Sequence, residues 1–255
     1  MSTSSSKQRF SDRVADYVRY RPDYPRDLLA WVDRDLGVGT DVAVADIGAG
    51  TGISTRLFLE AGYAVTAVEP NPAMRAAAEQ WLRDYPRFRS RDGSAEATGL
   101  ADASVGLVMA AQAFHWFDVE AVRREWRRIL APGGLALVYW NSRLLDSTPF
   151  MRGYEQLLLD YGTDYTAVAE RYQDDATMRH WFGDGFRGLA HFPNVQRLDL
   201  DALRGRLLSS SYTPLAGDPR HAPMLEALAA LFEANARDGH VDFEYQTRAF
   251  AGTLR

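Results

Sequence analysis

The stretch Asp46-Ile47-Gly48-Ala49-Gly50-Thr51-Gly52 gathers three alternate glycines behind a carboxylate. Glycine admits backbone conformations closed to other residues and lets a ligand approach the main chain. Amides at a helix start can meet an anionic group. A second carboxylate, Glu69, stands 17 residues after Gly52 and 21 after Gly48. An acidic side chain at that remove can accept hydrogen bonds from two ribose hydroxyls. The chemistry these residues suit is the grip of a nucleoside. Farther along, Gln112-Ala113-Phe114-His115-Trp116-Phe117 offers an amide, an imidazole and aromatic surface. His115 is a residue type able to take a proton from a nucleophile.

These residues need elements that hold them at one edge of a sheet. Thr40 to Ile47 reads as a buried strand ending in the glycine cluster. A helical pattern follows Gly52 and closes at Gly62. Ala64 to Glu69 reads as a second strand, and Asn71-Pro72 as the cap and first turn of a helix to about Asp84. Phe88–Arg91, Val105–Ala110 and Leu135–Trp140 read as strands three to five. Gly93 to Asp102 reads as loop. From Asp118 to Leu130 the apolar residues Val119, Val122, Trp126, Ile129 and Leu130 share one helical face and four arginines the other. Strands alternating with helices over 40–140 predict a parallel sheet covered on both sides. Beyond that, Pro149–Asp160 and Met224–Ala236 read as helices. Val195–Leu200 and Phe243–Phe250 read as strands, expected to finish the sheet as an antiparallel pair. The stretch 144–185 and the material between those strands are expected to form a cap.

The chain has 255 residues, a net charge of −5 and no cysteine. Disulfide frameworks, cysteine nucleophiles and thiolate zinc sites are therefore excluded. The five histidines are scattered and lack ligand spacing, so no metal is expected. The acidic balance disfavours nucleic acid as a partner. The polar start lacks a signal-like apolar stretch, and no run of 18 apolar residues occurs. A cytoplasmic protein off the membrane is expected, and the sequence leaves its oligomeric state open. The expected organisation is one domain over 1–255, with N-terminal helices and tail over 1–39, a cofactor-binding core over 40–142, and cap segments with terminal strands over 143–255.

A dinucleotide fingerprint would need a third small residue at position 53, where Ile53 stands. The observed G-x-G-x-G after Asp46 instead resembles motif I of class I S-adenosylmethionine-dependent methyltransferases. Gly93-Ser94-Ala95-Glu96 resembles that family's adenine loop, with serine where the common form has aspartate. Pro132-Gly133-Gly134 resembles the turn before its fifth strand. Tyr20-Arg21-Pro22-Asp23-Tyr24-Pro25, the Gln112–Phe117 string and Trp140-Asn141 resemble the small-molecule subgroup near trans-aconitate methyltransferases. The resemblance covers residues 8–145 well and the rest loosely. It implies a Rossmann-like fold: a mostly parallel seven-stranded sheet with helices on both faces and a helical cap.

What the resemblance implies for single residues is specific. Gly48, Gly50 and Gly52 would surround the methionine end of S-adenosylmethionine, and Glu69 would hold its ribose. Met74 would pack on adenine, with Ser94 and Ala95 at the adenine edge. Asp46 would hydrogen-bond within the loop or reach the cofactor's amino group. Arg21 would pair with its carboxylate, and Tyr17 and Tyr20 would close over it. Gln112 would sit where the methyl group is delivered, and His115 would be either a general base or a loop-ordering histidine. Trp116, Trp140, Asn141, Tyr172 and Trp181 would line the acceptor pocket, with Tyr165 and Phe182 as further aromatic wall. Arg143 would either meet an acidic acceptor group or lie exposed. The implied activity is methyl transfer to a small molecule. The alternatives are a cofactor-binding regulator without transfer activity and a nicotinamide-dependent oxidoreductase.

Overall fold

The computed structural model describes residues 20–165 and 174–254. Its elements run α1 (Asp27–Arg34), β1 (Ala43–Ile47), α2 (Ile53–Glu60), β2 (Ala64–Val68), α3 (Pro72–Leu82), β3 (Phe88–Arg91), β4 (Val105–Ala111), α4 (Val119–Ile129), β5 (Leu130–Arg143), α5 (Pro149–Tyr161), α6 (Asp175–Phe182), β6 (Phe186–Leu198), α7 (Leu200–Leu208), α8 (His221–Asn235) and β7 (Val241–Gly252). The seven strands form one sheet in the order β3-β2-β1-β4-β5-β7-β6. The first five pair in parallel, with Asp46 opposite Ala67 on β2 and Met109 on β4. This is the mostly parallel Rossmann-like sheet that the alternating pattern implied.

Local chemistry explains where the elements start. Asn71 caps α3 by accepting from the amides of Ala73 and Met74, and Pro72 supplies the first turn. Asp118 caps α4 through the amides of Glu120 and Ala121. Helix α4 buries Val122, Trp126 and Ile129 and turns its arginines away. It passes straight into β5, which begins at Leu130 and not at Leu135.

The chain divides into two compact units, with the division falling inside β5, β6 and β7. One comprises 23–141, 173–192 and 247–255. Strand alternation puts Ala45 and Ile47 in one apolar cluster of this unit and Val44 in another. The first cluster is aromatic-rich, with Phe114, Trp126, Trp140, Trp181, Phe182 and Phe250. The other unit draws on 1–22, 142–172 and 193–246. Its core joins α5, α7, α8 and the start of β7 through Tyr154, Leu203, Leu207, Leu228 and Phe243.

Two expectations are corrected here. Strand β6 starts at Phe186, nine residues before the expected Val195, because it is the sheet's edge. Edge strands tolerate a proline such as Pro193 that a central strand would reject. Its end is also earlier: Asp199 caps α7 by accepting from the amide of Ala202, so Leu200 belongs to a helix. Helix α6, capped by Asp174 through the amide of Thr177, was not foreseen. Among the described residues no helix is long and apolar enough to cross a membrane.

Candidate functional site

The ends of β1, β2 and β4 carry the candidate site, all within the first unit. Beyond Ile47 the chain turns through three glycines with positive φ: 68° at Gly48, 59° at Gly50 and 90° at Gly52. An L side chain is strained in that region. At Gly48 there is also no room for one, because a Cβ would lie 2.9 Å from the Ala113 Cβ and 3.1 Å from the Phe117 ring. At Gly52 it would lie 2.7 Å from Leu82. A Cβ on Gly50 would meet only the Met74 sulfur, 3.9 Å away. The first glycine and the third are therefore fixed by packing, and the middle one leaves open backbone. The amides of Gly48 and Ala49 both donate to the Val68 carbonyl, so the loop is drawn against the tip of β2. No side chain caps α2, whose N-cap is Gly52.

Glu69 ties these pieces together. One carboxylate oxygen accepts from the Gly50 amide at 2.8 Å and the other from the Asn71 amide at 2.8 Å. These two bonds hold the carboxylate against the glycine loop at the tip of β2. Arg75 braces the same corner by donating to the Glu69 carbonyl at 2.7 Å.

Asp46 is completely buried beneath the loop. Its Oδ2 accepts from the Thr55 hydroxyl at 2.7 Å, and its Oδ1 has no protein partner among the described residues. Burial pushes its carboxyl up to about 7, with the Thr55 hydrogen bond opposing and the nearby Glu69 charge assisting. Burial also pushes the Tyr139 phenol well above its usual range, aided by the Asp46 charge. The Tyr139 and Ser54 hydroxyls are in close contact. Nothing in the sequence pattern singles out Ser54 and Thr55. Their signal was position alone, in the first turn after the glycine loop.

At the tip of β4, Gln112 has φ of 55°, a left-handed conformation uncommon for a residue other than glycine. Its amide donates to the Tyr139 carbonyl at 3.0 Å, and its Nε2 to the Asn141 carbonyl at 3.5 Å. Its Oε1 is buried without a partner among the described residues, as is the Thr51 hydroxyl. Three buried polar atoms at neighbouring strand tips and in the loop between them thus lack partners: Asp46 Oδ1, Thr51 Oγ1 and Gln112 Oε1. Buried groups of this kind are normally satisfied. A ligand carrying ammonium and hydroxyl donors fits them.

The remaining predicted residues fall into distinct settings. Met74 is buried and faces the middle glycine. Ala95 is buried, while the Ser94 hydroxyl accepts from the Ala97 amide and orders its own loop. His115 is half-buried, its ring centroid 4.8 Å from that of Trp116, and Trp116 is 37% exposed. Asn141 is buried, donating to the Asp23 carbonyl at 3.1 Å and accepting from the Thr247 hydroxyl at 2.5 Å.

Trp140 and Trp181, expected as pocket walls, have side chains buried in an aromatic core cluster. Trp140 packs edge-on to Phe114 and Phe250, and Trp181 to Phe114, Trp126 and Phe182. The Trp181 ring nitrogen donates to the Val119 carbonyl. Phe182 lies in the same core rather than in a wall. Tyr17 and Tyr172 lie outside the described residues. Tyr20 and Arg21 belong to the second unit, where the Tyr20 carbonyl accepts from Gln196 and Arg21 donates to the Ser209 carbonyl at 3.1 Å. Arg143, in that unit too, is not an exposed arginine: its side chain is 11% accessible and meets Glu155 and Tyr165.

Residues 45–138 match a family described as a methyltransferase domain. The chain is 29% identical over 246 residues to an uncharacterized methyltransferase-like protein of Schizosaccharomyces pombe, covering 95% of this chain and 94% of that one. It is 38% identical over 134 residues to an uncharacterized methyltransferase of Mycobacterium bovis, a match spanning 52% of each protein. In structure it resembles a putative type II methyltransferase from Anaeromyxobacter dehalogenans. That likeness has a TM-score of 0.71 at 24% identity and covers 92% of this chain and 98% of that one.

Proposed function

We propose that this chain, whose residues 45–138 match a methyltransferase domain, is a class I S-adenosylmethionine-dependent methyltransferase that binds its cofactor at the tips of β1, β2 and β4 and methylates a small molecule. The observation that carries the reading is Glu69, a carboxylate at the tip of β2 fixed on the Gly50 and Asn71 amides, where a ribose diol would meet it. The open backbone at Gly50 admits the ligand's amino-acid portion. Asp46 Oδ1 and Gln112 Oε1 are acceptors for its ammonium group and for donors near the reacting carbon. Met74 supplies apolar surface for the base, with Ala95 and the Ser94 loop at its edge.

The bound sulfonium supplies an already activated methyl group. The protein's part is then placement: holding an acceptor in line at about 3–3.5 Å can supply roughly 7–11 kcal/mol of the barrier. The strained backbone at Gln112 fits such positioning, since strain of this kind gathers at functional sites. His115 is proposed to take a proton from acceptors that carry one, and is not needed for a carboxylate nucleophile. The acidic balance of the chain favours a small molecule over nucleic acid, and a cytoplasmic setting is consistent with the absence of cysteine. The test is turnover of labelled S-adenosylmethionine against a metabolite extract freed of protein and nucleic acid. Label moving only into a protein or RNA fraction would overturn the small-molecule reading.

A further inference from the structure

The second unit contains a buried cationic cluster that the methyl-transfer reading does not use. Arg206 on α7 is 5% exposed. Its Nε donates to the Tyr245 hydroxyl at 2.8 Å and its Nη1 to the Ser210 hydroxyl at 3.1 Å. The guanidinium lies over the rings of Phe243 and Tyr245, at 5.4 and 5.8 Å. All these partners are neutral, and among the described residues no carboxylate is paired with it. The Tyr245 hydroxyl donates to Gln196 Oε1 at 3.0 Å, so it remains a neutral acceptor toward the arginine. A buried cation without a counter-charge is costly.

Tyr154 packs edge-on to Phe243, their ring centroids 4.7 Å apart, and the Arg206 and Arg143 charges both act on its hydroxyl. Its hydroxyl is buried and has no partner among the described residues. The Arg143 guanidinium lies 5.2 Å from the centre of the Tyr154 ring. Its Nη2 meets Glu155 and Tyr165, while its Nη1 is buried and has no partner among the described residues. Among the described residues, one cation lacks an anion and two donors lack acceptors. A single group would satisfy all three deficits, because a carboxylate brings one negative charge and two acceptor oxygens.

We propose that this guanidinium–phenol cluster binds the carboxylate of a small organic acid, with Arg206 as its counter-charge and the Tyr154 hydroxyl and Arg143 Nη1 as further donors. Glu155 already neutralises Arg143, so the uncompensated charge is that of one monoanion rather than a phosphate dianion. The flanking aromatic rings of Phe243 and Tyr154 suit the acid's hydrocarbon part. The Arg–Tyr surroundings also leave a spectroscopic handle. Burial raises the Tyr212 phenol, but the nearby Arg206, Arg143 and Arg21 charges more than offset this and hold it below its usual value. An anion seated among those charges would move it back up.

The test uses the full-length protein with butyrate, its neutral isostere butyramide, and inorganic phosphate, read by melting temperature, calorimetry and tyrosinate absorbance in alkaline titration. Butyrate is expected to raise the melting temperature and delay tyrosinate formation, with butyramide and phosphate having little effect. Arg206→Met should fold, melt no lower than wild type in plain buffer, and bind butyrate about tenfold or more weakly. Tyr154→Phe keeps the ring and should weaken butyrate several-fold, so the proposal stays testable if the arginine variant fails to fold. Equal responses to butyrate and butyramide, or butyrate binding undiminished in both variants, overturn the proposal. A phosphate response equal to that of butyrate overturns the assignment to organic acids. S-adenosylhomocysteine binding, measured in the same samples, reports the methyl-transfer reading separately.

Discussion

Replacing Asp46 by asparagine probes the buried carboxyl beneath the glycine loop through a change in stability with pH. An ordinary aspartate titrates at 3.8, and burial lifts this one to about 7. The native protein therefore keeps a proton that the unfolded chain has released between those two values. Stability from this group is fully present below about pH 4 and is lost as pH rises through about 7. Each pH unit of difference is worth about 1.4 kcal/mol, so the interval of a little over three units amounts to about 4 kcal/mol. An asparagine side chain has no such proton to lose. Urea denaturation of wild type and Asp46→Asn from pH 4 to pH 8, without ligand, isolates the effect because the other titrating groups cancel in the difference. The variant should gain about 4 kcal/mol relative to wild type across that range. Parallel stability profiles for the two proteins would refute the reasoning, since they would require Asp46 to titrate normally despite its burial.

Other perturbations test other parts of the site. If the ligand's ammonium group meets Asp46 Oδ1, S-adenosylhomocysteine binding near pH 6 should release a proton, measured by calorimetry in buffers of differing ionisation enthalpy; zero release would remove Asp46 from the contact. Gly48→Ala should cost about 2–4 kcal/mol, from left-handed strain and overpacking against Ala113 and Phe117, and abolish cofactor binding; a variant with wild-type stability and affinity would contradict that packing. Gln112→Gly relieves a positive φ but adds chain entropy, so its melting temperature should stay close to wild type while turnover falls at least tenfold, and unchanged turnover would deny Gln112 a positioning role. His115→Gln should lower the rate and remove the acidic limb of the pH–rate profile with a protic acceptor; an unchanged profile would assign His115 to loop order.

The glycine-loop half of the candidate site was legible because its requirements are local. Positive φ at Gly48, Gly50 and Gly52 demands glycine whatever surrounds it. Glu69 follows the last residue of β2, and strand spacing alone brings it to the loop. Asn71 and Asp118 cap their helices as their residue types foretell. The setting of the aromatic residues was not legible. Tryptophan suits a pocket wall and a core equally well, and only packing partners reveal that Trp140 and Trp181 are core. Gly188 and Pro193 are unfavourable in a central strand, and β6 holds them at the sheet's edge. The Arg143–Tyr154–Arg206–Tyr245 cluster draws on residues widely separated in the chain and has no pattern in the sequence.

Calorimetric titration of S-adenosylhomocysteine into wild-type protein and Glu69→Ala goes to the heart of the account. Wild type should bind one equivalent. The alanine variant, losing both the ribose acceptor and the brace on the Gly50 amide, should bind at least a hundredfold more weakly, given about 1.5–3 kcal/mol for each hydrogen bond to a charged group. Absence of heat with wild type, or equal affinity in the two proteins, would contradict the claim that the glycine loop and Glu69 grip this nucleoside.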